Sequence, residues 1–162
     1  MTELDDFDLW PPSRPARGQI PSPCVSVHGA YHALERRLRA ATRQHGLSGS
    51  EAMTLAFLVR EPGCAAVVVR HALGFHRSTL SSLLDRLESK ELISRAPSSY
   101  DGRRLEIELT VTGRIAAEIA ETVIRDVDDE LATYTSPSER RAAEAVFAAC
   151  TAINGSRNGL DF

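Results

Sequence analysis

Ile115, Ile119, Val123, Val127 and Leu131 recur at i, i+4 steps, and no other regularity in the chain restricts its fold as much. Side chains four apart stack on one face of an α-helix, so the spacing commits this stretch to a helix with about four turns of continuous apolar stripe. Thr110 or Thr112 can cap its start, and Ser136-Pro137 opens another helix carrying Val146, Phe147, Cys150 and Ile153. Such a stripe is open to two readings: packing within one subunit, or an interface with a partner. A chain of 162 residues has room for one packed core and not for two ordinary domains. The expectation is therefore one globular domain with frayed ends.

The segments ahead of that stripe follow helical periods until a hairpin intervenes. Over residues 26–45, Val27, Tyr31, Leu34, Leu38 and Ala41 oppose Arg36, Arg37, Arg39 and Arg43, which predicts a long first helix. Ser48 and Glu51 have capping-box spacing ahead of Ala52, Leu55, Ala56, Leu58 and Val59, and Glu61-Pro62-Gly63 stops the run. Residues 65–73 read as helix or buried strand because Val67-Val68-Val69 is β-branched; helix is preferred, and Gly74 ends it either way. Residues 76–90 gather Leu80, Leu83, Leu84 and Leu87 on one face, with Arg77, Ser78, Ser81, Ser82, Asp85 and Arg86 on the others. Leu92-Ile93-Ser94-Arg95 and Leu105-Glu106-Ile107-Glu108-Leu109 read as strands of a β-hairpin whose tip is charged. Residues 1–25, rich in proline, read as an extended arm, and residues 155–162 as a polar tail.

Composition removes several classes of function. No unbroken apolar run, residues 64–69 included, comes near the roughly 20 needed to span a bilayer, and the acidic start lacks a secretory pattern. The expectation is a cytoplasmic protein with no membrane partner. Cys24, Cys64 and Cys150 are odd in number and widely spaced, against both a disulfide framework and a CxxC zinc site. The net charge of −3 gives no global attraction to nucleic acid, so any such function rests on a local patch. No Gly-rich phosphate loop appears, Ser48 lacks the second glycine of a GxSxG elbow, and no catalytic set can be assembled, so an enzyme is not expected. Asp126, Asp128, Asp129 and Glu130 point in different directions from one helix and read as a solvated face.

Four helices, a hairpin and two further helices give a mainly α fold with a small β-hairpin wing, the order of a winged helix-turn-helix. In that arrangement the second helix of the pair enters the DNA major groove by its N-terminal end, here His76, Arg77, Ser78, Thr79, Ser81 and Ser82, with Arg86 further along. Arginine bonds a guanine edge bidentately, hydroxyls bond bases or phosphates, and the helix N-terminus attracts phosphate. The hairpin brings Arg103 or Arg104 toward a minor groove.

The stretch Asp101-Gly102-Arg103-Arg104-Leu105-Glu106-Ile107-Glu108-Leu109-Thr110-Val111-Thr112-Gly113 resembles the wing pattern of the MarR family of dimeric winged-helix regulators: DxR, five residues, LT, two residues, G. Ser78-Thr79-Leu80, Leu84-Asp85-Arg86-Leu87-Glu88 and Leu92-Ile93-Ser94-Arg95 are similar to that family's recognition helix and first wing strand. The resemblance implies that Arg103 is the wing-tip groove contact, that Asp101 holds the wing in shape and that residues 77–82 face the major groove. It also implies long terminal dimerisation helices (26–45 and 111–154) around a DNA-binding lobe (50–110), within a domain of residues 26–154. The partners are then double-stranded DNA with a pseudo-palindromic site, a second copy of the chain, and a small-molecule effector or chemical signal, the usual output being repression. A winged-helix module that binds an acidic protein partner is the alternative. Glu91 stands where the family carries a turn glycine, which predicts mild backbone strain, and Arg70 where it carries a small residue.

Cys24, His28 and His32 fall at i, i+4, i+8 and share one stripe if the first helix begins early enough. With Tyr31 they form the candidate sensor set. A redox reading places a reactive thiol at Cys24; a metal reading takes His28 and His32 as two ligands with a third from elsewhere. The plain reading, a buried thiol and two partly exposed imidazoles, is preferred, and no metal or cofactor is assigned. Trp10 and Phe57 are candidate aromatic walls of an effector pocket alongside Tyr31.

Overall fold

The computed structural model describes residues 22–97 and 105–157. Helix α1 (Pro23–Ala41) begins earlier than the apolar period predicted, because Pro23 sits in its first turn, where a fixed φ favours the helix and no N–H is wasted. Residues 23–25 therefore belong to α1 and not to the arm. A 3-10 turn (Arg43–His45) closes on Gly46 at φ +61°, and the buried Thr42 hydroxyl donates to the Leu38 carbonyl at 2.8 Å.

Helix α2 (Gly49–Arg60) starts with the expected capping box: the Glu51 amide donates to Ser48 Oγ and the Ser48 amide to Glu51 Oε2, at 3.2 and 2.8 Å. It is the central element, with Ala52, Leu55, Ala56 and Leu58 buried. Residues 66–73 resolve to a helix, α3 (Ala66–Leu73), ended by Gly74 at φ +67°. Helix α4 (Arg77–Ser89) buries Leu80, Leu83, Leu84 and Leu87. Each contributes about 1.5–3 kcal/mol over an exposed leucine, so the helix cannot roll to another face.

Strands β1 (Ile93–Pro97) and β2 (Leu105–Leu109) pair antiparallel, from Ile93↔Leu109 to Pro97↔Leu105. On the other edge of β2, Ala65 forms a bridge to Glu106 and the Ile107 amide donates to the Cys64 carbonyl at 3.0 Å, tying the approach to α3 into the wing. Glu91, just before β1, adopts φ +56°, the left-handed conformation expected where a glycine is usual.

Helix α5 (Val111–Tyr134) is capped by Thr110, whose Oγ1 accepts from the Gly113 amide at 3.0 Å and donates to the Glu91 carbonyl at 2.7 Å. Its face toward α2 is made of small residues: Ala116, Ala117 and Ala120 are fully buried. The isoleucine stripe lies beside that face, with Val123 packed against the core but Ile115 52% and Leu131 39% exposed. Helix α6 (Pro137–Arg157) opens with a second reciprocal cap between Ser136 and Glu139 and leans on α1. None of its described residues is fully buried.

Candidate nucleic-acid interface

Burial of the four leucines fixes which way α4 presents its other side. His76, Arg77, Ser78, Thr79, Ser81 and Ser82 are all exposed, so the structure gathers the sequence-predicted residues on the N-terminal half of one surface helix. His76 holds the N-cap position in extended backbone, yet its side chain makes no capping bond, and the first turn carries no acidic residue. The positive end of the helix dipole and the first amides thus face solvent beside Arg77, an arrangement that attracts a phosphate.

Arg86 is placed differently from its neighbours. Its Nε donates to Glu51 Oε1 at 3.0 Å, while Lys90 Nζ donates to Glu51 Oε2 at 3.1 Å and to the Gly46 carbonyl at 2.9 Å. The Glu51 side chain is only 3% exposed, against 55% for Arg86. Burial alone pushes the Glu51 carboxyl up, but the Ser48 amide, Arg86 and Lys90 outweigh it and hold the group below the ordinary carboxylate value. One carboxylate thus caps α2 and anchors the C-terminal half of α4.

A second clamp joins α4 to the wing. Arg95 of β1 donates to Asp85 Oδ1 at 2.7 Å and lies 3.5 Å from Glu88 Oε2, both on α4. Asp101, Arg103 and Arg104 lie outside the described residues; the Pro97↔Leu105 pair marks where the segment that carries them leaves and rejoins the hairpin.

The candidate sensor residues cluster on α1. Because the helix starts at Pro23, Cys24 shares the stripe of His28 and His32. The two Nε2 atoms of His28 and His32 stand 3.1 Å apart, and the Tyr31 ring meets His32 edge to face at 5.2 Å. Cys24, Val27, His28, Tyr31 and Cys150 line an open surface cavity of about 370 Å³. Cys24 is exposed, not the buried thiol of the plain reading. Phe57 packs against the core of the lobe and not in this cavity, while Trp10 lies outside the described residues.

Known proteins can be set beside this geometry. A sequence model of the MarR family matches residues 45–104. An HTH-type transcriptional repressor of Mycobacterium tuberculosis H37Rv is 34% identical over 109 residues, covering 66% of this chain and 78% of the relative. The chain belongs to the MarR family.

The HTH-type transcriptional regulator TtmR of Methylorubrum extorquens is 33% identical over 91 residues, which cover 56% of this chain and 47% of TtmR, about half its length. Among solved structures, the transcription regulator MarR from Oenococcus oeni PSU-1 superposes with a TM-score of 0.72 at 18% identity, covering 80% of this chain and 98% of that one. The S. aureus MepR–DNA complex gives 0.67 at 22% identity, covering 82% and 98%. These likenesses show the MarR winged-helix fold. No helix among the described residues is long and apolar enough to cross a membrane.

The residues that sequence reasoning missed in this MarR-family chain are those that hold α4 in place: Glu51, Lys90, Asp85 and Arg95. Glu51 was legible only as a cap, since its partners on α4 are 35 and 39 positions away.

Proposed function

We propose that the chain is a sequence-specific DNA-binding transcriptional repressor, acting as a homodimer on a pseudo-palindromic operator and released by a small-molecule or chemical signal. The observation that carries the reading is the exposed, uncapped and acid-free N-terminal half of α4, with Arg77 and four hydroxyls on one surface of a winged helix. Arg77 and the hydroxyls meet base edges, the helix N-terminus takes a phosphate, and Arg103 reaches an adjacent groove from the wing. The repressor names of the mycobacterial relatives support the direction of regulation.

Support for the dimer comes from exposed apolar surface on the terminal helices. Val25, Tyr134, Phe147 and Ile153 are 66, 57, 47 and 62% exposed, and a groove between α1 and α6 is lined by Val27, Ala30, Val146 and Phe147 among others. A helix of 21 residues resting mainly on one neighbour gains too little burial to stay folded alone, so a second copy covers it. Two-fold symmetry then sets the recognition helices for half-sites about one DNA turn apart. The cavity at Cys24, His28, Tyr31 and Cys150 lies among these helices, where an effector can favour a spacing that mismatches the half-sites.

Fluorescence anisotropy with DNA flanking the protein's own coding region, against a scrambled duplex and over several salt concentrations, tests the reading. The expected result is selective, strongly salt-dependent binding weakened by Arg103→Ala. Failure of genomic DNA selection to enrich any sequence would instead favour the protein-partner module.

A further inference from the structure

We propose that His28 and His32 form a binding site for a borderline divalent transition metal, Co²⁺, Ni²⁺ or Zn²⁺, held through the two Nε2 atoms with Glu35 bracing the His32 ring from behind. The inference goes beyond the DNA-binding reading and does not depend on it.

The geometry comes from α1 itself. Residues four apart project from one face of a helix, the spacing that lets two imidazoles reach one ion. Here the rings stand edge to face with centroids 4.3 Å apart and turn the same nitrogen, Nε2, toward each other at 3.1 Å. Two neighbouring nitrogen ligands of a tetrahedral zinc ion stand about 3.3 Å apart, given metal–nitrogen bonds of about 2.0–2.1 Å. The contact is a hydrogen bond at a spacing close to that of a shared ion, so an ion would take the place of the bridging proton.

A second observation concerns the opposite side of the His32 ring. Its Nδ1 lies 3.6 Å from Glu35 Oε2, an ion-pair separation that must tighten slightly to become a hydrogen bond. A carboxylate behind a metal-binding imidazole fixes the ring's orientation and raises its basicity. Glu35 is held there by α2: a Cβ on Gly49 would stand 2.1 Å from Glu35 Cγ, so the Gly49 backbone presses directly on the glutamate stem.

Imidazole selects borderline metals over Mg²⁺ and Ca²⁺, which prefer oxygen. Among the described residues no group of three His, Cys, Asp or Glu is arranged to hold an ion. Among the described residues the site is accordingly two-coordinate in protein ligands, with its remaining positions open to water or to an anion.

Untagged protein, without DNA, is titrated with Ni²⁺ by calorimetry and with Co²⁺ by absorption spectroscopy. The expected result is one ion per chain, lost in both His28→Ala and His32→Ala, weakened about tenfold by Glu35→Gln, and free of a near-ultraviolet thiolate-to-cobalt band. Neither histidine belongs to the buried core, and circular dichroism of each variant separates lost ligation from lost fold. Unchanged affinity in the His28→Ala, His32→Ala double variant overturns the assignment. So does a thiolate band, which would move the ion to cysteine, or the absence of saturable binding in the wild type.

Discussion

Arg86 Nε donates to Glu51 Oε1 across 3.0 Å, so a residue on the exposed helix α4 is tied to the carboxylate that caps the helix beneath it. Replacing Glu51 by glutamine keeps the volume but leaves Arg86 and Lys90 without their counter-charge. Glu51→Gln is expected to lower stability by about 2 kcal/mol near neutral pH. Because Glu51 is held below its ordinary value of 4.5, its stabilising effect is full above that value and fades as pH falls through the folded pKa. Denaturant melts of the two proteins should therefore differ most near pH 7 and converge in acid; a constant gap would contradict the ion-pair account.

Arg77 stands at the exposed start of α4 and makes no core contact. Arg77→Ala should leave the melting temperature unchanged and cost about 1–3 kcal/mol in operator binding. Anisotropy on operator and scrambled duplexes distinguishes its partner: a loss confined to the operator marks a base contact, and an equal loss on both marks a phosphate.

The capping box at Ser48, the leucine face of α4 and the two hairpin strands were legible because each signal is local: three residues, one helical period, one alternation. Two parts of the site were not. The contacts of Glu51 with Arg86 and of Asp85 with Arg95 join different elements, and no period encodes them. The face of α5 against α2 escaped notice because Ala116, Ala117 and Ala120 are weak hydrophobic signals, although their smallness lets the two helices approach. The more visible stripe at Ile115 and Leu131 proved to be partly exposed.

Gly113 tolerates no side chain. A Cβ there would fall 1.7 Å from the Leu92 carbonyl oxygen, part of the junction where the wing meets α5. Gly113→Ala should destabilise the fold by roughly 3 kcal/mol or more, beyond ordinary overpacking, because backbone and not a flexible side chain must move. Thermal unfolding checks this, and a loss under 1 kcal/mol would show that the junction is looser than described.

Glu91 sits at φ +56° and is the only described non-glycine residue with positive φ. Glu91→Gly relieves that strain while adding freedom to the unfolded chain, for a net gain of about 1 kcal/mol or less. At this size the gain corresponds to roughly 2–4 °C per kcal/mol in Tm. A fall in Tm would mean that the Glu91 side chain stabilises the fold by more than its backbone costs.

Phe147 is 47% exposed on α6, beside the groove against α1. In the proposed dimer it is covered, so Phe147→Arg should yield monomers at micromolar concentration by light scattering, with operator affinity falling alongside. A variant that stays dimeric would place the interface elsewhere.

The alanine face of α5 has a mechanical consequence. Helices joined through small side chains have little slack, so the DNA-binding lobe and α5, about 36 Å long at 24 residues, form one stiff arm. If the proposed dimer responds to a signal at its terminal helices, a stiff arm would carry it to the DNA as a swing, a small rotation at the pivot becoming a larger displacement at the tip. Under that proposal, a receptor end could be rebuilt for new chemistry while the operator-reading end stayed the same.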